Sequence, residues 1–271
     1  MTTTTREPQF PAPVTTSLLV ACDIDGTLVR TGHPVTAAVR GAASRVRAAG
    51  HHVVLATGRS LVGALPIAVQ LGLDDAWIVA SNGAVTAHLL GGKYEVTEQH
   101  DVDAETVVRL AVREAPGIRV ATEVVGAGYR VNLAFPAGEL NGEQREGHSA
   151  EDLWELPTPR VALYGPGAYR LVPALLAHEL TAIATRLDWV DVTAQGISKA
   201  TALEKVRATL GVEAHHTAAI GDGENDLEML SWAAHGFAMA HAPAFVIAAA
   251  DHLTGAVDED GAASALLSLL N

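Results

Sequence analysis

Cysteine occurs once in this 271-residue chain, at Cys22, so no intrachain disulfide can form. That suits a reducing compartment, and a lone cysteine inside an apolar run reads as a small buried side chain. Basic residues are scarce as well. The chain has 18 Lys and Arg against 31 Asp and Glu, a formal charge of −13. A duplex nucleic-acid binder needs a basic face, and so does docking on an anionic membrane; the charge argues against both. No apolar run reaches the roughly 18 residues of a spanning helix. The opening M-T-T-T-T-R-E-P-Q-F-P-A-P-V-T-T lacks the hydrophobic stretch of a secretory signal. Residues 1–17 read as a disordered leader and the chain as a cytoplasmic protein.

What is there begins with hydrophobic residues, 49% of the chain, enough for one large or two modest domains with a sizeable core. The organising stretch is Leu18 to Val29, L-L-V-A-C-D-I-D-G-T-L-V. Leu18 to Cys22 has the continuous apolar character of a buried parallel strand. It ends in Asp23 and Asp25, with Gly26 and Thr27 turning the chain. Open α/β sheets bind ligands outside the carboxyl ends of their strands, so these acids arrive where such sheets keep their chemistry. A carboxylate there can ligate magnesium or attack a phosphoryl group. A plain Asp-Gly turn would also fit these residues taken alone.

The pattern repeats. Val35 to Ala49 reads as a helix with Gly50 as its stop. His52 to Ala56 reads as a strand ending in Thr57, Gly58 and Arg59, and Ser60 as a cap for a helix to Leu71. Ala76 to Ala80 is a third strand, ending in Ser81, Asn82 and Gly83. Three strand–helix units imply right-handed crossovers and a parallel sheet. Beyond Asn82 the grammar changes. Ala84 to Leu90 and Tyr94 to Gln99 flank Gly91-Gly92 as a hairpin. A helix is expected from Asp103 to Ala115, strands at 118–125, 129–133 and 160–164, a loop over 136–159, and a helix over 171–186. Ser149 and Asp152 could form a capping box within that loop. Trp189 to Val192 is expected to return the chain to the first sheet. Residues 86–188, about 100 residues, read as an inserted α+β domain. The core, 18–85 and 189–271, then resumes: a helix from Ser198 to Leu210, a strand at Thr217 to Ile220, and G-D-G-E-N-D at Gly221 to Asp226. Glycines flank Asp222 and allow a tight turn, and Asn225 or Asp226 can cap the following helix. Lys199 falls in a first helical turn, where the dipole disfavours a cation unless an anion is near. Strands near 236–239 and 253 and a helix at 261–270 finish the chain. The adjacent pairs His51-His52 and His215-His216 point to opposite faces and suit no chelate. His88, His100, His148 and His178 are expected on solvated surface.

D-I-D-G-T-L at Asp23 to Leu28, A-T-G-R at Ala56 to Arg59, Lys199, and G-D-G-E-N-D at Gly221 to Asp226 resemble the four motifs of the haloacid dehalogenase-like superfamily, in order and intact. Ser81-Asn82-Gly83 and the insertion after the third strand resemble its Cof-like phosphatase branch, with a large α/β cap between the second and third motifs. The resemblance implies a Rossmann-like α/β parallel-sheet core with an inserted α+β cap. It also implies a magnesium-dependent phosphatase acting on phosphomonoesters of small metabolites such as sugar phosphates, by way of an aspartyl phosphate.

Its implied roles are specific. Asp23 is the nucleophile, and Asp25 protonates the leaving oxygen and then activates water. Mg²⁺ is held by Asp23, the Asp25 backbone carbonyl and Asp222. Thr57, Gly58, Lys199 and Asn225 hold the phosphate, while Asp226 and Asn82 support them. The expected partner is a small phosphate ester, not nucleic acid or membrane, and the expected state is a monomer or homodimer. Two alternatives stay open: a phosphomutase of the same superfamily, and a non-catalytic ligand-binding protein on this scaffold.

Overall fold

The structure is a computed structural model and describes residues 17–147 and 149–270. Nearly all of the leader expectation, and the one for His148, lie outside the described residues.

The first sheet grows around β1 (Leu19–Cys22), whose four residues are fully buried. Chain order continues with α1 (Ala37–Ala48), β2 (His52–Ala56), α2 (Leu61–Gln70), β3 (Asp75–Ala80), β4 (Val85–Leu90) and β5 (Lys93–Gln99). Gly50, at φ +88, follows α1 as expected of a helix stop. Ser60 stands at the N-cap of α2, but its hydroxyl makes no capping bond. The second sheet begins after α3 (Ala104–Glu114), which Asp103 caps by accepting the Thr106 N–H. It contains β6 (Arg119–Val124), β7 (Gly128–Val131), β8 (Glu143–Glu146) and β9 (Val161–Tyr164). Beyond the short α4 (Val172–Leu176) it adds β10 (Leu180–Arg186) and β11 (Trp189–Ala194). The chain then returns through α5 (Lys199–Leu210), β12 (Thr217–Gly221), α6 (Leu227–Trp232), β13 (His235–Ala238), α7 (Ala244–Ile247), β14 (His252–Leu253) and α8 (Gly261–Ser268).

Sheet one has the order β14-β13-β12-β1-β2-β3-β4-β5, parallel from β14 to β3 and antiparallel beyond. Its strands alternate strictly. Val20, Cys22, Val53 and Leu55 join the core cluster with α1, α2 and α8. Leu19, Ala21, Val54 and Ala56 face α5 and α6 in the opposite one. Both faces are covered, which is why these strands read as unbroken apolar runs. Sheet two has the order β10-β11-β9-β6-β7-β8. One face, with Val120, Val161, Leu163, Val190 and Val192, is buried with Val107, Val108 and Leu175. The other carries Ala121, Tyr129, Ala162 and Trp189.

Four expectations are corrected. The helix over 171–186 holds only as a 3-10 turn and the five residues of α4. Glu179 sits at φ +58 and breaks it, and Leu180 and Ala182 then alternate into the cluster as β10. Two β-branched threonines and Ile183 favour that strand over a helix. Secondly, Trp189 to Val192 does not return the chain. It belongs to β11, paired between β10 and β9, and residues 195–198 make the return. Thirdly, the hairpin β4–β5 extends sheet one by antiparallel pairing, so a boundary at 86 falls inside β4, and one at 188 falls in the turn between the paired strands β10 and β11. Fourthly, 136–159 is not all loop. Glu143–Glu146 pairs parallel with β7, and 151–153 forms one 3-10 turn. Of the anticipated capping box, the Ser149 N–H donates to Asp152 Oδ2 at 3.2 Å. No helix among the described residues is long and apolar enough to cross a membrane.

Candidate active site

The parallel neighbours β1 and β12 end side by side, Cys22 opposite Ile220, so Asp23 and Asp222 emerge together. The Asp23 N–H donates to the Ile220 carbonyl at 3.0 Å, continuing the ladder up to the nucleophile candidate. Gly26 stands at φ +82, and a Cβ there would lie 2.2 Å from Asp222 Oδ2, so both conformation and space require glycine. Thr27 Oγ1 donates to Asp222 Oδ1 at 3.2 Å. The glycines flanking Asp222 do not adopt a left-handed turn. Gly221 is needed for room, because a Cβ would come within 2.6 Å of the Asp226 carboxylate.

That carboxylate is folded back rather than capping α6. Asp226 Oδ2 accepts the N–H groups of Asp222, at 3.0 Å, and Gly223, at 2.9 Å. Its other oxygen accepts from Lys199 Nζ at 2.6 Å, and Lys199 donates again to Asp23 Oδ1 at 2.7 Å. Lys199 is 1% exposed, so the sequence-level alternative of a solvated lysine is overturned. The reciprocal Ser198–Thr201 capping box starts α5 and sets Lys199 at its first position. The unusual first-turn cation is thus explained by two anions.

The electrostatics follow from burial. Desolvation pushes the Asp23 carboxyl well above its ordinary range, Lys199 opposes this, and Asp226 and Asp222 add to it. Asp222 is pushed up to about 6, mainly by burial and then by Asp226, with His241, 3.4 Å away, opposing. Burial works against the charged Lys199, but Asp226 and Asp23 outweigh it and raise its pKa. Three carboxylates therefore share one lysine, leaving excess negative charge in a low-dielectric place. Asp23, Asp222 and Asp226 can each put an oxygen within 4.8 Å of the others. Both Asp226 oxygens are engaged, so Asp23 and Asp222 are the donors on offer. An all-oxygen, acid-rich set of this kind fits Mg²⁺, which takes one or two carboxylates and keeps several waters.

The ends of β2 and β3 complete the floor. Arg59 N–H donates to Thr57 Oγ1 at 3.1 Å, and Asn82 N–H to the Thr57 carbonyl at 3.0 Å. Asn82 is in the left-handed region, φ 54 and ψ 30, a conformation asparagine tolerates. Its Oδ1 accepts from Asn225 Nδ2 at 2.9 Å, so the loops after β3 and β12 meet over Gly58. The Asp25 carboxylate faces Arg59 within the same cleft. Arg59 grips its carboxylate with two bonds of 2.6 Å each. Asp23, Asp25, Thr57, Gly58, Asp222 and Asn225 all line one cleft of about 890 Å³, whose opposite wall comes from the second sheet. Lys199, Asp226 and Asn82 lie behind this lining. His88, His100 and His178 are not part of it.

The second wall holds residues outside the sequence-predicted site. Arg160, 3% exposed, donates to the Gly58 carbonyl and the Tyr129 hydroxyl, and lies 3.3 Å from Glu123 and 3.2 Å from Asp191. Glu123 accepts from Ser81 Oγ at 2.6 Å, joining this cluster to the end of β3. A signal was present: Glu123 and Asp191 interrupt apolar strands, R-V-A-T-E-V and W-V-D-V-T, on the face away from α3.

A family model described as haloacid dehalogenase-like hydrolase matches residues 20–114 and 169–266. Phosphoglycolate phosphatase of Natronomonas pharaonis is 34% identical over 247 residues, covering 91% of this chain and 95% of its own. 5-Amino-6-(5-phospho-D-ribitylamino)uracil phosphatase YcsE of Bacillus subtilis is 26% identical over 264 residues, covering 92% and 94%. A solved Bacteroides thetaiotaomicron phosphatase of the haloalkanoate superfamily superposes with a TM-score of 0.78 at 26% identity, covering 96% and 98%. The match to the family model takes in most of the chain and the cleft's motifs lie within it, so the chain belongs to the haloacid dehalogenase-like hydrolases, in the Cof-like branch that its motifs resemble and among relatives named as phosphatases.

Proposed function

We propose that the cleft hydrolyses phosphomonoesters of small metabolites, sugar phosphates among them, through a phosphoryl group carried on Asp23 and with Mg²⁺ as cofactor. The observation that carries this reading is the buried Lys199 shared between Asp23 and Asp226, next to Asp222 at the strand ends. Lys199 occupies one Asp23 oxygen and leaves the other to attack phosphorus. As the Asp23–phosphorus bond forms, the bond to the leaving oxygen breaks, and that oxygen takes a proton from Asp25, whose carboxyl has exchanged its Arg59 bonds for the substrate. Water then attacks the phosphorus, gives its proton to Asp25, and releases Asp23 as a carboxylate. Thr57, the Gly58 backbone, Lys199 and Asn225 hold the phosphoryl oxygens, while Asp226 orients Lys199 and Asn82 orients Asn225. Mg²⁺, held by Asp23, the Asp25 backbone carbonyl and Asp222, would supply neutralisation of phosphate charge. Phosphoryl transfer is mostly positioning and charge neutralisation, which this donor set is equipped to do. A cytoplasmic location is part of this reading, because phosphometabolites belong to that compartment and the single cysteine, Cys22, forms no intrachain disulfide.

A screen over phosphate esters with Mg²⁺ tests the reading. EDTA is expected to stop turnover and Mg²⁺ to restore it. Asp222→Ala is expected to raise the Mg²⁺ concentration for half-maximal activity at least about tenfold, since one of two available carboxylate donors is lost. Full activity in EDTA would sink the metal assignment.

Asp25 has its own test. An alkyl phosphate leaves as a basic alkoxide and needs a proton, whereas nitrophenolate leaves well without one. Asp25→Ala is expected to slow single-turnover phosphorylation by a sugar phosphate about 10²–10⁴-fold, and by p-nitrophenyl phosphate far less. Equal losses with both esters would move the general-acid role to another residue.

A further inference from the structure

The three arginines that line the cleft are already paired with carboxylates. Asp25 takes Arg59 with two 2.6 Å bonds. Arg186 lies 2.7 Å from Glu139 and 3.2 Å from Asp188. Arg160 sits between Glu123 and Asp191, so two buried acids face one buried guanidinium. Burial raises the carboxyl pKa of both acids, against the pull of Arg160. Among the described residues, both arginines of the second-sheet wall, Arg160 and Arg186, keep acid partners, whereas Arg59 lies on the first-sheet side and is released when Asp25 gives its proton.

We propose that the second-sheet wall of the cleft rejects esters whose organic group carries a second negative charge, and that Asp191 sets this selection by accepting a hydroxyl from an uncharged, hydroxylated group. The inference rests on the phosphatase reading and deepens it. The phosphate itself is served at the other end, by Lys199 and the strand-end loops. A carboxylate placed against Asp191 meets a like charge at low dielectric. Arg160 cannot turn to that carboxylate without leaving Glu123 or Asp191 buried and uncompensated. A hydroxyl meets no such obstacle, because an ionised Asp191 only accepts and an O–H can donate to it. The cluster also reaches the Gly58 carbonyl, so the group that reads the ester is tied to the loop expected to hold the phosphate.

Matched esters test this in the intact chain with Mg²⁺. Glycerol 3-phosphate and 3-phosphoglycerate form one pair, and glucose 6-phosphate and 6-phosphogluconate the other. Within each pair the hydroxylated neutral group is expected to win in kcat/KM by about tenfold or more. Asp191→Asn removes the surplus charge at nearly constant shape and is expected to shrink that ratio by raising the acid ester relative to its neutral partner. Asp191→Glu is expected to keep it. Equal or reversed preference in the unaltered protein overturns the inference, as does turnover of p-nitrophenyl phosphate with none of the four esters. A proportional loss of both esters in Asp191→Asn reduces Asp191 to a structural residue and overturns its assigned part. Absence of turnover with every ester, p-nitrophenyl phosphate included, removes the phosphatase reading itself and the inference with it.

Discussion

Asp23→Asn is expected to remain folded and to lose turnover by roughly 10⁴–10⁶-fold, the scale seen when a nucleophile is deleted from a site that acts as a unit. An amide does not attack phosphorus and is a poorer ligand for a hard cation. The fold should tolerate the change because the side chain is nearly isosteric and its N–H ladder bond to Ile220 is made by the backbone. The substitution also lowers the charge excess, leaving two acids, Asp222 and Asp226, around Lys199. Thermal melting and single-turnover hydrolysis of p-nitrophenyl phosphate check it together. A normal melt with activity within tenfold of the unaltered protein would remove Asp23 as the nucleophile.

Lys199→Met should fail in both stability and activity. The methionine fills much of the same buried space but leaves Asp23 and Asp226 facing each other without a cation. Removing one partner of a buried ion pair typically costs about 3–5 kcal/mol, because the other charge stays buried and unpaired. For a chain of this size that corresponds to a melting midpoint lower by roughly 6–20 °C. Mg²⁺ is expected to recover part of the loss, since it binds the folded acid cluster and not the unfolded chain. Turnover should fall at least about 10²–10³-fold, the scale of one lost electrostatic anchor on a developing charge. A midpoint unchanged in the absence of metal would show that Lys199 is not what holds the acids together.

Where local pattern carried the information, the chain was legible in advance. β2 runs from His52 to Ala56 as read, and β1, β12 and α5 agree within a residue. Each is short, apolar and followed at once by turn or cap chemistry, so its period and its stop signal lie within a few residues. The second sheet was harder. Leu171 to Arg186 contains good helix formers and few breakers, and only the partner β11 selects the strand in its second half. Strand preference of that kind is set by cross-strand packing more than by backbone propensity. The 143–146 strand was hidden for a similar reason. Its residues, E-Q-R-E, are polar and largely exposed, and only the edge of β7 pairs them.

The sequence by itself determined which groups stand at the carboxyl ends of the buried strands: Asp23 and Asp25, Thr57 and Gly58, Asn82, and Asp222 to Asp226. That followed because a buried apolar run and the polar turn that ends it are neighbours in the chain. Which of those groups touch was decided only by tertiary structure. Lys199 meets Asp23 across 176 residues and Asp226 across 27, and Arg160 reaches Gly58 across 102. Those separations are closed by the strand order β12-β1-β2-β3 and by the second sheet lying over it, and no residue's local propensity encodes either. The pairing of every cleft arginine with an acid belongs to the same class. Composition shows an acidic chain, but only the fold shows where the excess acid is buried and which cations it has already claimed.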